Sequence, residues 1–411
     1  MREYDLIIIG GGSAGIAAAL GAYENGISDI LIIEREMEYG GILQQCIHNG
    51  FGLHTFNEEL SGPAYAEKYF ALISDIEGIE IRYETAVLQI EDKTVTISSP
   101  DGLEKIKGKA IIMATGCRER PAGAIGLKGN RCEGVYTAGT AQKYLNRQGY
   151  LVGKRVFILG SGDIGLIMAR RMTLEGAKVI GVAELQPYSN GLARNIKQCL
   201  EDFDIPLYLS HTVEAVHGQS RLEAITLIAV DENLKKIPGS EQEIACDCLL
   251  LSVGLIPENT LIEELGVKLD PRTKGAVVDD HYMTSLEGIF ACGNSLHVHD
   301  LVDYVSAEGK RCGKAAAAYI KGEVTRAPLI ENKVSNGVSY MVPQAFHTDS
   351  DQEFMFRVNK VFKECYIHVY GKGIDKKLKK PAIVPSEMQK VVIRQEELQE
   401  LQGELNWEVI A

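Results

Sequence analysis

The sequence predicts an α/β protein in which one nucleotide-binding unit is used twice, followed by a small β-rich C-terminal domain. Two observations carry the first part. An apolar run, Tyr4-Asp5-Leu6-Ile7-Ile8-Ile9, leads directly into Gly10-Gly11-Gly12-Ser13-Ala14-Gly15 and an alanine-rich helical stretch, and the next apolar run ends at an acid, Glu34. The same succession returns at Arg155–Leu159, Gly160–Gly165 and Glu184, and the acid lies 24 positions after the first glycine in both copies. A third observation carries the second part: beyond Leu329 the long apolar runs give way to short strand-like ones separated by turn residues.

Each element has a physical reason. The first run is rich in β-branched residues and shows no sustained alternation, as a parallel strand buried on both faces requires. The glycines allow a tight turn and bring the backbone close to a pyrophosphate, whose charge rests on the N-terminus of the helix from Ile16 to Asn25. Ile30-Leu31-Ile32-Ile33 forms the next strand, and Glu34 at its end would accept hydrogen bonds from a ribose diol. In the second copy Gly160-Ser161-Gly162-Asp163-Ile164-Gly165 makes the turn, a helix follows to Glu175, and Lys178–Ala183 is the strand before Glu184. A lone glycine motif is weak, but strand, turn, helix, strand and acid in register identify two Rossmann-like dinucleotide-binding domains. Both copies also close alike, through Ala110-Ile111-Ile112-Met113-Ala114-Thr115-Gly116 in the first and Leu249-Leu250-Leu251-Ser252-Val253-Gly254 in the second.

Composition narrows the class. The chain has 411 residues, 45% apolar and 24% charged, which is ordinary globular composition at a length suited to two or three domains. Its 43 basic and 56 acidic residues give a net charge of −13, which argues against nucleic acid as a partner because phosphate binding needs a basic face. No apolar run reaches the roughly 20 residues that span a bilayer, and Leu6–Ile9 is too short for a signal-peptide core. Nine cysteines, scattered from Cys46 to Cys365, read as reduced thiols of a cytoplasmic protein.

A third segment, Thr284-Ser285-Leu286-Glu287-Gly288-Ile289-Phe290-Ala291-Cys292-Gly293-Asn294, completes a pattern. Together with the two turns it resembles the flavoproteins with two dinucleotide-binding domains, the pyridine nucleotide-disulfide oxidoreductase superfamily, over residues 1 to 325. The resemblance implies FAD in the first copy and a nicotinamide nucleotide in the second. It also implies a split chain order: 1–117 and 270–328 as the FAD domain, 118–269 inserted in it as the NAD(H) domain, and 329–411 as the C-terminal domain. FAD contacts would come from Gly10, Gly12, Ser13, Ala14, Gly15, Glu34, Arg35, Gly41, Ile42, Ala114, Thr115, Gly116, Gly293, Asn294, Asp300 and Leu301. Contacts to the nicotinamide nucleotide would come from Gly160, Gly162, Asp163, Ile164, Gly165, Glu184 and Gly254. One departure is Asn294, where the family usually has aspartate; the amide still donates or accepts there, without the charge.

Glu184 should repel a 2′-phosphate and bind a 2′-hydroxyl, and no arginine follows before Arg194, so NAD(H) is expected over NADP(H). The electron exit departs furthest from the family. Its disulfide-bearing branches carry two cysteines with four residues between them after the first acidic strand end, or with two residues between them just before the second glycine turn. Here the first region, Gly40–Gly52, holds Cys46 alone and the second, Gly134–Ala141, holds none, so dithiol chemistry is not expected. Cys246 and Cys248 flank Asp247 at strand spacing and read as structural, and no metal is expected.

Cys46, His48 and His299 are the candidate catalytic residues. A thiol at Cys46 could cycle through a sulfenic acid, given a lowered pKa. In Ser295-Leu296-His297-Val298-His299-Asp300-Leu301-Val302-Asp303 a helix is expected to begin, with Asp300 as its cap and His297 or His299 relaying a proton. This cluster and the Gln44–Gly52 loop resemble flavoprotein subunits of glycerol-3-phosphate dehydrogenase-like, opine oxidase and hydrogen cyanide synthase systems. That resemblance implies hydride exchange between NADH and flavin, with electrons passing to or from a partner subunit or a small-molecule acceptor. Two alternatives stand beside it: direct oxidation of a small amine or hydroxy acid clamped by Arg118, Arg120 or Arg311, and a flavin-containing accessory subunit of a dehydrogenase complex.

In the C-terminal domain Gly337–Gln344, Glu353–Val358 and Cys365–Tyr370 read as strands. The five lysines of Lys372–Lys380 read as a solvated loop, and Glu396–Leu405 as a short helix with Leu398, Leu401 and Leu405 on one side. Subunit contact, within a homo-oligomer or with a partner, is its expected role.

Overall fold

Residues without polar alternation become the centre of the first sheet. In the computed structural model, which describes residues 1–323 and 327–411, Arg2–Ile9 lies between Ile30–Ile33 and Gly102–Met113. It runs parallel to both, with Leu6 opposite Ile30 and Ile7 opposite Ile111. Ile79–Arg82 extends the sheet past Ile30–Ile33, and Ile289–Ala291 pairs in parallel with the end of Gly102–Met113. The other half of that strand pairs antiparallel with Thr94–Ser99, which in turn pairs with Ala86–Glu91.

Alternate side chains feed two cores. Leu6, Ile8, Ile30, Ile32 and Ile112 face the helices Ser13–Glu24 and Val302–Ile320, while Ile7, Ile9, Leu31, Ile33 and Ile111 face the other way. The two helices touch backbone to backbone: a Cβ on Gly313 would stand 1.9 Å from Ala18 O, and one on Gly309 2.3 Å from Ala14 O. The alanine-rich composition of the first helix is the condition for that approach, and it explains a helix buried nearly all round.

These elements belong to a unit of Met1–Gln44, Asn49–Cys117 and Pro257–Ala411. The chain returns to it at Pro257, earlier than the expected 270, because Ile262, Val267 and Ala276 join the core around Ile7, Ile9 and Ile111.

The second unit, Gln45–His48 with Arg118–Ile256, repeats the plan. Its parallel sheet has the order Val135–Thr137, Cys248–Leu251, Arg155–Leu159, Lys178–Glu184, Leu207–Leu209. A four-stranded sheet, Lys128–Gly129, His211–His217, Ala224–Ala229 and Gln242–Ala245, shares the apolar cluster of Phe157 and Leu159.

Residues 329–411 are β-rich and lie in the first unit. A five-stranded sheet (Ala345–His347, Leu329–Val334, Gln402–Ile410, Phe362–Lys372, Ile374–Ile383) and a three-stranded one (Val338–Val342, Gln352–Val358, Gln389–Ile393) share one core around Phe346, Phe354, Phe356 and Trp407. Two expectations fail here. The lysine-rich stretch is an edge strand, Ile374–Ile383, paired with Phe362–Lys372; Lys377 and Lys379 are exposed on one face while Lys376 and Lys380 are half-buried on the other, and this run of charge blunts an otherwise open edge. The expected helix is only Gln395–Leu398, after which Gln402–Ile410 is a strand. Leu398, Leu401 and Leu405 are all buried, but a short turn and a strand bury them where a helix was expected.

Polar contacts fasten this region to the rest of its unit. Gln344 N donates to Val278 O at 3.1 Å, Val278 N donates to Gln344 Oε1 at 2.9 Å, and Arg311 pairs with Glu353 at 3.1 Å. Among the described residues no helix is long and apolar enough to cross a membrane.

Candidate functional site

The first glycine turn is built by close approach. Gly10 has φ +111°, and a Cβ there would meet Ala114 O at 2.3 Å; a Cβ on Gly15 would meet Gly10 O at 1.9 Å. Among the described residues nothing lies within 4 Å of the Cβ position at Gly12, and the helix Ser13–Glu24 begins there without a side-chain cap. The leading amides of that helix therefore face open space, as an anion site requires. Gly40 N donates to Gly11 O at 2.8 Å, which brings Gly41 to the rim of the same opening, while Arg35 and Ile42 are exposed beside it. Buried Glu34 accepts Gly11 N at 2.7 Å and Glu36 N at 2.9 Å, one on each oxygen. A carboxylate has about four lone-pair positions, so two remain for a diol. Thr115 Oγ1 donates to Glu258 O at 2.7 Å, and Gly116 O accepts Glu258 N at 3.0 Å, which locks the strand end beside the turn.

The second turn repeats the first bond for bond. Gly160 has φ +98° and approaches Ser252 O as Gly10 approaches Ala114 O; a Cβ on Gly165 would stand 2.6 Å from Gly160 O. Glu184, also buried, accepts Ser161 N at 3.0 Å and Gln186 N at 2.9 Å, and additionally the Ser161 hydroxyl at 2.6 Å. The helix Asp163–Leu174 again starts uncapped, and the Cβ position at Gly162 meets only Ser252 Oγ, at 3.6 Å. Asp163 itself points to the following loop, accepting Leu192 N at 2.9 Å and Asn195 Nδ2 at 2.6 Å, and Ile164 packs into the core. What this turn offers a phosphate is therefore backbone. Gly254, at φ +101°, has open space at its Cβ position, and its carbonyl accepts Arg120 N at 3.0 Å.

The third motif is held by a cluster that the sequence only half shows. His297 Nε2 lies 2.8 Å and His299 Nε2 3.1 Å from the two oxygens of Glu308, which also accepts Gly293 N at 2.7 Å. All three side chains are wholly buried. Burial opposes a charge on Glu308, but the rings of His299 and His297 hold its carboxyl well below the usual range. Burial pushes His297 below the usual imidazole value, against the pull of Glu308. The geometry thus gives His299 a positioning role, fixing the Gly293-Asn294 turn through Glu308, where the sequence suggests a proton relay. Asn294 Oδ1 accepts His299 N at 3.1 Å, and its amide donates to Cys117 Sγ at 3.7 Å.

Asp300 is likewise not a cap. It pairs with Arg357 and accepts Met388 N at 2.7 Å, so the C-terminal sheet takes it, and Leu301 stands at the cap position without a side-chain bond. Asp303, one turn on, accepts Gly52 N at 3.2 Å and Thr55 N at 2.8 Å. Arg311, a suggested carboxylate clamp, is occupied by Tyr282 Oη at 2.8 Å and by Glu353. Glu308 escaped the sequence reading, although it precedes Cys312 by one turn on the small-residue face of its helix, where a charge signals a buried partner.

Gln45–His48 is stitched to the helix Ala138–Gln148. Gln45 Nε2 donates to Gly139 O at 2.8 Å and to Gln142 Oε1 at 3.0 Å, and Asn146 Nδ2 donates to Gln45 O at 2.9 Å. The Cys46 thiol faces Gln142 Oε1 at 3.8 Å, and burial pushes its pKa up to about 12. A thiolate at neutral pH, which the sulfenic-acid reading requires, is not what these surroundings produce. Burial, aided by the charge of Arg194, holds His48 below its usual value against Asp163.

The pyridine nucleotide-disulphide oxidoreductase family matches residues 4–314, three quarters of the chain and both glycine turns. The chain belongs to this family. It is 26% identical over 334 residues to a thioredoxin reductase of Treponema pallidum, covering 77% of this chain and 97% of that one. It is 24% identical over 338 residues to an opine oxidase subunit of Agrobacterium tumefaciens, covering 77% of this chain and 66% of that one. The T. acidophilum thioredoxin reductase structure superposes with a TM-score of 0.63 at 23% identity, covering 79% of this chain and 100% of that one. This chain thus has a thioredoxin reductase-like α/β fold with two Rossmann-type domains, and the C-terminal strands from Leu329 lie beyond the family match.

Members of this family are flavin-dependent pyridine nucleotide oxidoreductases, and the residues present fit both cofactors. Gly12 and Gly162 leave open cradles that a Cβ would fill, each at an uncapped helix start, with an ordered acid beside it.

Proposed function

We propose that this chain is an FAD-dependent NADH oxidoreductase whose electrons pass to or from an acceptor other than a cysteine pair of its own, in company with a partner subunit. The observation that carries the reading is Glu184. Its buried carboxylate is held by two amides and a hydroxyl, and Leu185–Asn190 supplies no arginine to compensate for a 2′-phosphate. A 2′-hydroxyl donates to such an acceptor, whereas a phosphate is repelled by it.

FAD, when bound, supplies the two-electron exchange with nicotinamide. The chain supplies the holding. The Gly10–Gly15 turn and the leading helix amides take the pyrophosphate, Glu34 takes the ribose, and Gly293-Asn294 takes the polar chain that joins ribose to flavin. Glu308 and its two histidines keep that last turn in place. The Gly160–Gly165 turn with Glu184 takes the nicotinamide nucleotide. Two features support an exit that avoids cysteines: no pair has the disulfide-branch spacing, and burial pushes the Cys46 thiol's pKa up to about 12. Similarity to one component of an opine oxidase supports the partner.

Anaerobic titration of the flavin-loaded protein tests the nucleotide preference. NADH is expected to bleach the flavin at least about tenfold more efficiently than NADPH, the equivalent of about 1.4 kcal/mol of discrimination at the 2′ position. Equal or better reduction by NADPH overturns the reading.

A further inference from the structure

A second cluster of histidines shares no residue with the glycine turns or with the Glu308 cluster. Asp280 and His281 sit in the turn Asp279–Met283, where Asp279 Oδ1 accepts the amides of His281 at 2.9 Å and Met283 at 3.0 Å. His347 ends the strand Ala345–His347, positioned by its antiparallel pairing with Leu329–Val334. These elements bring three donors together. His347 Nδ1 lies 2.8 Å and His281 Nδ1 3.5 Å from Asp280 Oδ1, and a ligand atom from each residue falls within 4.8 Å of the others. A tetrahedral ion bonded at about 2.0–2.1 Å sets its ligands about 3.3 Å apart, so small side-chain rotations suffice.

The surroundings suit a cation. Asp280 is only 6% exposed in its side chain, and its second oxygen accepts Gln352 Nε2 at 2.8 Å while the first also accepts the His347 amide at 3.2 Å. The carboxylate is thus oriented before any ion arrives, as outer hydrogen bonds orient ligands in established sites. Asp280, Asp279 and Asp349 all act on His347, so acidic charge gathers at this imidazole. The His281 side chain keeps 41% of its exposure, which admits an ion and its water. The His297–His299–Glu308 cluster lacks these features. It is sealed, and neither Nδ1 finds a partner among the described residues, whereas a metal-bound imidazole normally donates its other N–H.

We propose that Asp280, His281 and His347 bind a divalent transition-metal ion, zinc in the first place, with water completing the shell. Two imidazole nitrogens and one carboxylate oxygen select this class over magnesium or calcium, which take oxygen shells. The ion ties the turn Asp279–Met283 to the C-terminal strands and acts as a structural clamp within one unit.

The test uses full-length, flavin-loaded protein freed of metal by a chelator and then exposed to zinc chloride. About one zinc per chain should survive gel filtration, and the thermal midpoint should rise by roughly 5–10 °C at a hundredfold excess over Kd. His281→Ala removes a ring that bears little of the fold, so its zinc-free midpoint should equal that of the wild type. Its zinc affinity should fall at least about tenfold, since losing even an outer-shell partner of a metal ligand costs that much. His347→Gln should lose zinc as well. Failure of the wild type to retain zinc, or undiminished affinity in His281→Ala and His347→Gln, overturns the proposal.

Discussion

Gly165→Val is expected to leave the flavin bound while cutting the efficiency of its reduction by NADH ten- to a hundredfold. A Cβ at this position would press on Gly160 O at 2.6 Å and on the Ser252 side chain at 2.8 Å, so the helix start must move away from the turn. Overpacking of this kind costs about 1–3 kcal/mol, and each 1.4 kcal/mol taken from nucleotide binding is about tenfold. The flavin is spared because Gly165 belongs to the unit Arg118–Ile256, which has its own cores. Gly15→Val, with a clash of 1.9 Å against Gly10 O, makes the mirror experiment and should yield colourless protein. Absorbance of the purified variants and anaerobic reduction by NADH decide both, with far-ultraviolet circular dichroism to show that the fold persists. Unchanged NADH reduction in Gly165→Val would mean that the second turn does not hold the nucleotide.

Glu308→Ala is expected to destabilise the chain by about 3 kcal/mol, because three buried N–H donors lose their acceptor at once. For a unit of this size that is a fall in thermal midpoint of roughly 6–12 °C. The pH dependence has a definite sign. The folded-state pKa of Glu308 is held below its ordinary value, burial notwithstanding, by His299 and His297. Its stabilisation is therefore complete above the ordinary carboxylate pKa and drains away as pH falls toward the lower folded value. Urea unfolding at neutral pH and near pH 4 should show a larger acid penalty in the wild type than in Glu308→Gln. An identical acid penalty in the variant would place the sensitivity elsewhere.

The parts legible in the sequence are those whose cause is local. Double burial removes alternation from Arg2–Ile9 and Arg155–Leu159, and glycines are obligatory where Gly10 and Gly160 meet a neighbouring carbonyl. An acid four residues into a strand-turn pattern would mean little, but Glu34 and Glu184 stand where a strand ends beside its own turn. The parts that stayed hidden depend on partners distant in the chain. Asp300 reads as a helix cap until Arg357 and Met388 arrive from the C-terminal domain. His297 and His299 read as a proton relay beside the flavin until Glu308 draws them inside. The lysines around Ile374–Ile383 mask a strand because a sheet edge and a solvated loop call for the same side chains. Leu398, Leu401 and Leu405 satisfy a helical period by accident of a turn, since short apolar runs do not separate helix from strand. Cys46 could not be judged at all from sequence, because a thiol's proton affinity depends on desolvation by side chains such as Gln142 that lie far along the chain.

The chain has one tryptophan, and Trp407 is wholly shielded between the aromatic rings of Phe354 and Phe356, with its indole N–H on Asn332 Oδ1 at 2.9 Å. Nature has thus installed a single fluorophore in the C-terminal strands, which lie beyond the family match. Its emission should be blue in the native state and shift to the red only when the C-terminal sheets open, while the yellow chromophore reports on the first glycine turn. Recording both signals during one denaturation would reveal whether the two regions melt together or in succession.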